Sequence, residues 1–259
     1  MPFRHKIQAR RFELKYILDE RLAGAIRNFL RSHLEPDEHA DAENNSYAIT
    51  SIYLDNADLD LYNQTMRGLK NRFKLRIRFY DDNPASPAFL EIKKRVNDVI
   101  CKERAKVTRE AAHRLLCGGL LDESHLVNNN GDPATGAALQ NFCRLCTAIG
   151  ARGRAYVTYT REAYVLPNSN QIRVTFDREL LATDYEQGTP LSFPVAGSPP
   201  PMGGVVLELK FTDRFPDWMR EMVQAFCLQR TSFPKYIRCI DALNVQSRQP
   251  FGLGIGLAR

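Results

Sequence analysis

Along much of this chain apolar and polar residues alternate one by one, and elsewhere the repeat lengthens to that of a helix. Residues 10–16 alternate as a strand. Asp19 then stands in a capping position, and Leu22, Ile26, Phe29 and Leu30 share one face of a helix predicted over 20–34. An acidic loop (35–45) leads into a strand at 47–55 and a short helix or turn at 59–68. Three strands follow at 72–80, 88–95 and 98–107, joined by Asp81-Asp82-Asn83-Pro84 and Val96-Asn97-Asp98, both good turn sequences. Thr108 is placed to cap a helix to about 117. The Gly- and Asn-rich stretch 118–136 reads as a loop, and 137–149 as a helix. Strands resume at 155–166, 171–179 and 205–211, with a proline-rich loop at 190–201. Helices at 218–228 and 234–245 close the pattern, and 246–259 is predicted to be a loose tail.

Because residues two apart share a face of a strand, each strand sorts its charges. Arg11, Glu13 and Lys15 fall together. So do Lys74, Arg76 and Arg78, which oppose Phe73, Leu75, Ile77 and Phe79. Glu91, Lys93 and Arg95 form a third set, Lys102, Arg104 and Lys106 a fourth, Arg173, Thr175 and Asp177 a fifth, and Glu208 and Lys210 a sixth. Two arrangements produce this pattern. A half-buried antiparallel sheet could turn its charged face to water. Alternatively, the sheet curls around that face while helices cover the apolar one. The amphipathic helices and the wealth of arginine, suited to bidentate phosphate contacts, favour the second. The expected fold is therefore α+β: an eight-stranded antiparallel tunnel, closed as a barrel, with helices packed outside and a C-terminal helix. A single domain is expected over 1–259, with its core at about 10–245.

Composition supports a sizeable core, since 44% of the 259 residues are apolar and 25% are charged. No apolar run is long enough for a membrane helix, and the first residues carry no apolar signal core, which predicts a cytoplasmic protein. Of six cysteines only Cys143 and Cys146 form a Cys-x-x-Cys pair, which reads as reduced thiols rather than zinc ligands. The net charge of +6 is unevenly placed. Between Arg67 and Arg109 there are 13 Lys or Arg against 5 Asp or Glu, and the rest of the chain sums to −2. Such a patch calls for a polyanionic partner. Glu13, Glu91 and Glu208 stand among these cations. They could hold Mg²⁺ or Mn²⁺ bridging phosphate oxygens, or pair with the neighbouring Lys and Arg. For Glu13 and Glu91 both uses stay open, and Glu208 is the stronger metal candidate.

The ordered set Glu13-Leu14-Lys15, Lys74-Leu75-Arg76-Ile77-Arg78, Glu91-Ile92-Lys93, Lys102-Glu103-Arg104, Arg173-Val174-Thr175-Phe176-Asp177 and Glu208-Leu209-Lys210 resembles the triphosphate tunnel metalloenzymes. Ser51-Ile52-Tyr53-Leu54-Asp55, Tyr159-Thr160-Arg161 and Ser232-Phe233-Pro234-Lys235-Tyr236 resemble, within that superfamily, the catalytic domain of the vacuolar transporter chaperone, a polyphosphate polymerase. The likeness runs from about residue 11 to 240. It implies ATP and inorganic polyphosphate as substrates, transfer of the γ-phosphoryl group to a growing chain, and Mn²⁺ or Mg²⁺ as cofactor. Matched by position, it implies Lys15, Arg76, Arg78, Lys93, Arg161, Arg173 and Lys235 as catalytic phosphate ligands. Lys102, Arg104, Glu13 and Glu91 become further substrate-binding residues, and Glu208 the metal ligand. Arg11 stands where the superfamily's opening motif has its first acid, a departure that favours the polymerase over a two-metal hydrolase. The polyphosphate-sensing and membrane-spanning parts of the eukaryotic complex have no counterpart in this sequence, which leaves two expectations open: the chain polymerises alone, or it works with a separate membrane partner at the inner face of a membrane. The five histidines are dispersed, and Gly252-Leu253-Gly254-Ile255-Gly256 has no helix after it to make a nucleotide loop.

The alternatives are a triphosphatase using water as the acceptor, or a non-catalytic polyanion binder. Nucleic acid is not expected as a partner. Sheets that bind it place aromatics on the binding face, whereas Phe73, Phe79 and Phe176 lie opposite the basic residues, with Tyr80 the main exception.

Overall fold

The computed structural model describes residues 12–247 apart from 42, 98, 128–131 and 170; Arg11 and the expected tail at 248–259 lie outside the described residues. The elements run β1 (Phe12–Leu18), α1 (Glu20–Leu30), β2 (Glu35–Pro36), β3 (Ser46–Asp55), α2 (Asp60–Met66), β4 (Asn71–Phe79), β5 (Ala88–Val96), β6 (Val99–Val107), α3 (Arg109–Leu116), α4 (Pro133–Ile149), β7 (Arg152–Val165), β8 (Ile172–Asp184), β9 (Val205–Phe211), α5 (Asp217–Ala225) and α6 (Lys235–Ser247). A 3₁₀ turn at Glu123–His125 precedes α4.

Eight strands form one antiparallel path, β1-β9-β8-β7-β3-β4-β5-β6, and the short β2 pairs with β7. The expected barrel is not closed by its backbone: among the described residues no ladder joins β1 to β6. The sheet nevertheless curls tightly. Laid flat, β1 and β5 would stand roughly 29 Å apart, at about 4.8 Å per strand, yet Lys93 Nζ on β5 lies 2.9 Å from Glu13 Oε2 on β1. Twist supplies part of the curl. Register shifts between β3 and β7 at Tyr53/Leu54, and between β7 and β8 at Thr158/Thr160, supply more.

The apolar faces point outward, as the alternation requires, and helices cover them. On one flank Ala111, Ala112 and Leu116 of α3 and Leu139, Phe142 and Leu145 of α4 pack on Leu75, Ile77, Leu90, Ile92 and Ala105. On another, Ala23, Ile26 and Leu30 of α1 and Met219 and Met222 of α5 pack on Val174, Phe176, Leu207 and Leu209, with Trp218 at the edge of this cluster. Helix α6 behaves differently. Its Tyr236, Ile237, Ile240 and Leu243 pack against Ile49, Ala155, Val157, Ala182 and Val206, which share strand faces with the charged residues. It therefore fills part of the concave side rather than clothing the outside.

Three boundaries differ from the alternation. Helix α1 stops at Leu30 and passes into a turn, although Leu34 is still buried. Helix α4 begins at Pro133, capped by Asp132, so Gly136 belongs to the helix; a Cβ there would crowd the Glu123 carboxyl group. Strand β8 continues to Asp184 because Glu179, at φ 53°, makes a bulge that moves the inward positions from Thr175 and Asp177 to Leu180 and Ala182. The period breaks there while the strand does not. No helix among the described residues is long and apolar enough to cross a membrane.

Strand β9 enters the sheet through Gly204, whose φ of 137° is one that L side chains rarely adopt. A Cβ at this position would run into the carbonyl oxygen of Leu18, at the end of the β1–β9 ladder. Gly204→Ala should therefore cost about 3 kcal/mol of stability, read as a lower urea midpoint with an unchanged slope.

Candidate functional site

The curl brings the charged strand faces together in two clusters. The first surrounds Glu91 of β5, which is 1% exposed. Register sets Arg76 and Arg104 directly across from it on the two neighbouring strands. Arg76 places Nε and Nη2 each 2.7 Å from Oε2, while Lys102 Nζ lies 2.5 Å and Arg104 Nε 3.2 Å from Oε1. The arginines are held from behind. Arg76 Nη1 donates to the Tyr53 hydroxyl (3.1 Å), Arg78 Nε to Ser51 Oγ (3.1 Å), and Arg78 Nη2 to the Tyr159 hydroxyl (3.1 Å). Arg104 stacks over the Phe89 ring at 3.6 Å.

The second cluster surrounds Glu208 of β9 and Asp177 of β8. Glu208 lies 3.0 Å from Lys15 Nζ, 2.7 Å from Lys210 Nζ, 3.1 Å from Lys235 Nζ and 3.5 Å from Arg161 Nη2. Asp177 takes a bidentate pair from Arg161 (2.6 and 2.7 Å) and lies 2.5 Å from Lys235 Nζ. Lys235 reaches in from the first residue of α6, so the helix on the concave side also delivers a cation to it. Glu13 bridges the clusters, pairing with Lys15 at 3.2 Å and Lys93 at 2.9 Å.

All the residues implied by the resemblance thus lie in these two clusters except Arg173, whose guanidinium is held by Asp37 and by the Tyr47 hydroxyl. Sequence reading gave no role to Asp177, Lys74, Lys210 or the two tyrosines. Lys74, Lys210 and Asp177 were visible as members of charged faces. What strand parity lacked was the neighbour relation: nothing in the alternation says that β7, β8 and β9 adjoin, which is what joins Arg161 to Asp177 and Glu208.

Burial opposes ionisation of Glu91 and Glu208, but Lys102 and Arg76 around the first, and Lys15, Lys210 and Lys235 around the second, hold both carboxyls well below the usual range. Glu13 is likewise lowered, burial being outweighed by Lys93 and Lys15. Lys15 and Lys235 are raised: burial alone would discharge them, and their carboxylate partners reverse that. Three lysines go the other way. Burial pushes Lys210 down to about 7 despite Glu208, Lys102 to about 7 despite Glu91, and Lys74 to about 7 with Lys93 and Lys15 adding repulsion.

A resident divalent metal does not fit this arrangement. Among the described residues no group of three or more His, Cys, Asp or Glu is placed to hold one, and the Glu208 oxygens already face four cationic side chains. Burial also raises Cys143, and raises Cys146 to about 12, so that pair holds protonated thiols. What the face can do is bind a compact polyanion, whose oxygens would compete with the carboxylates for fixed cations.

A family model for the VTC domain matches residues 10–244, and the chain belongs to that family. Among solved structures it is similar to a protein from Bacillus halodurans described as an adenylate cyclase candidate, with 12% identity over 87% of this chain and 94% of that one, at a TM-score of 0.48. It is also similar to HpAC1 from Hippeastrum, described as having a dominant triphosphatase activity, with 14% identity over 90% of this chain and 95% of that one, at a TM-score of 0.47. The PH1819 protein of Pyrococcus horikoshii is 13% identical over 92% of this chain and 99% of that one, at a TM-score of 0.44. No curated protein matches the chain.

Two measurements check the electrostatics. At pH 8.5 the lowered lysines are largely neutral, and a bound polyanion restores their charge. Titrating tripolyphosphate calorimetrically in buffers of different ionisation heat should show net proton uptake, which fades at pH 6 where they are already protonated. Proton release at pH 8.5 would show them charged beforehand. Asp177→Asn strands Arg161 and Lys235 without their closest counter-ion. It should cost about 3–5 kcal/mol in unfolding experiments, with part of the loss recovered when tripolyphosphate is added.

Proposed function

We propose that this chain is an ATP-dependent polyphosphate polymerase, transferring the γ-phosphoryl group of ATP to the end of a polyphosphate chain. The observation that carries the reading is the preorganised surplus of cations on the concave face. Arg76, Arg78 and Arg161 are each fixed by two or more partners before any substrate arrives. Phosphoryl transfer asks for little else, because its transition state spreads charge over phosphate oxygens and needs positioning and neutralisation rather than a protein nucleophile.

In this reading a terminal oxygen of the chain attacks the γ-phosphorus, the bond to the β,γ-bridging oxygen breaks, and ADP departs with that electron pair. Arg76, Arg78, Lys102 and Arg104 hold one set of phosphate oxygens. Lys15, Lys93, Arg161 and Lys235 hold the other, with Arg173 at the edge. Mn²⁺ or Mg²⁺ enters with ATP as the metal–nucleotide substrate. Glu91 and Glu208 keep the cations in place between turnovers. Base stacking is not supported, since Tyr53 stacks on Tyr236 at 4.9 Å and the Tyr53 and Tyr159 hydroxyls accept from Arg76 and Arg78. ATP and polyphosphate are thus the proposed substrates, and a separate membrane protein is the proposed third partner.

The test is incubation of the protein with ATP and Mn²⁺, following ADP, free phosphate and polymer length. ADP with a polyphosphate ladder and little free phosphate is the expected result. Free phosphate without polymer would make the chain a triphosphatase, and binding without turnover a polyanion-binding module. Arg76→Ala should lower turnover by about 10²-fold or more. Its circular dichroism should be unchanged, because Lys102 and Arg104 still neutralise Glu91.

A further inference from the structure

Ser51, Tyr53 and Asp55 share the inward face of β3. The first two hold Arg78 and Arg76 from behind. Asp55, which is fully buried, does something else. One of its oxygens accepts from the amides of Asn56 at 2.9 Å and Leu61 at 3.0 Å. The other accepts from the Tyr62 amide and from the Tyr236 hydroxyl, both at 2.9 Å. All four donors are neutral, so Asp55 supplies direction rather than charge balance. Burial and the nearby Asp55 carboxylate raise the Tyr236 hydroxyl well above its usual range, which keeps it a donor.

Tyr236 is the second residue of α6, next to Lys235. The helix is otherwise seated by apolar contacts on Ala155, Val157, Ala182 and Val206. Such contacts are non-directional, and small side chains do little to stop a helix from turning or sliding over them. A slip of one residue moves a helix about 1.5 Å along its axis and about 100° around it. Lys235 Nζ would then lose its contacts at 2.5 Å to Asp177 and 3.1 Å to Glu208, and its place 4.8 Å from the centre of the Tyr159 ring. A hydrogen bond from the adjacent residue, to a carboxylate that three amides already pin, fixes both coordinates. The Tyr236 ring adds a flat seat on Tyr53, with centroids 4.9 Å and planes 12° apart.

We infer that Asp55 and Tyr236 are a positioning pair, which holds α6 at the height and rotation that present Lys235 to a bound phosphate. The inference rests on the polyanion reading of the concave face and adds to it two residues that act through Lys235 alone.

Asp55→Asn would also disturb the start of α2, so the test uses Tyr236→Phe, which removes one hydroxyl and keeps the ring. Tyr62→Phe is the control, since it removes the 2.6 Å bond from Tyr62 to Asp241, further along the same helix. Tripolyphosphate is titrated calorimetrically into wild type, these two variants, Lys235→Met and the double variant Tyr236→Phe/Lys235→Met. Wild type and Tyr62→Phe should bind alike. Lys235→Met should bind about tenfold more weakly, and Tyr236→Phe about fivefold. Adding Tyr236→Phe to Lys235→Met should cost nothing further, because the hydroxyl acts through the missing ammonium.

Equal losses from Tyr236→Phe with and without Lys235 would make the bond merely structural and overturn the pair's role, as would wild-type affinity in Tyr236→Phe. No binding by wild type, or no effect of Lys235→Met, would instead remove the phosphate contact on which the inference rests and refute both. A second measurement leaves Lys235 in place: brief acetylation mapped by mass spectrometry. Lys235, 8% exposed, should be modified faster in Tyr236→Phe than in wild type or Tyr62→Phe. Lys94, paired with Glu103 on the opposite face of the sheet, should keep its rate throughout. Equal protection of Lys235 in all three proteins would overturn the proposal.

Discussion

A curled sheet forces alternate side chains into a shared interior, and in this protein those side chains are mostly cationic. Two like charges 4 Å apart in surroundings of effective dielectric 20 repel by about 4 kcal/mol. Three such contacts left unopposed would match the whole stability of an ordinary domain, about 5–15 kcal/mol. Glu13, Glu91, Asp177 and Glu208 are the answer to that constraint. Each touches at least two cations, and together they tie β1, β5, β8 and β9 to their neighbours and to the start of α6. The carboxylates are thus structural and electrostatic at once: they let the cations be assembled in advance, and they are weaker ligands for them than a multiply charged phosphate chain.

The two faces of the sheet are stabilised by different physics. Outside, α1, α3, α4 and α5 bury aliphatic and aromatic side chains in two dense clusters, which contribute through area and close packing. Inside, the contacts are few, directional and charged, apart from the sector where α6 lays an apolar stripe on Val157, Ala182 and Val206. An apolar convex shell therefore carries a concave surface whose contacts are mostly charged. Arg161 and Lys235 keep their positions because Asp177, fully buried, is shared between them.

Much of this was legible from residue order. The period of two placed Lys15, Arg76, Arg78, Lys93, Arg161 and Glu208 on strands, and the faces opposite them were apolar enough to demand helices. Curling was expected from the two faces, but its extent and the strand adjacency were not legible, because both depend on pairings between segments far apart in the chain: Lys93 and Glu13 are 80 residues apart. The bulge at Glu179 hid the last third of β8, since one extra residue reverses the parity on which the reading relied. The C-terminal helix was visible as a helix, but its apolar stripe could not say which face of the sheet it would choose.

That choice by α6 has a consequence for the life of the chain before it is complete. The strands, the convex helices and every inward cation but one precede residue 235, so a nascent chain can build the whole sheet while the space inside it is still open to solvent. Lys235 and the apolar stripe behind it arrive only with α6. Assembly of the Glu208 cluster thus waits for a segment made after every strand, and α6 serves as the keystone of the concave surface rather than as an appendage to it.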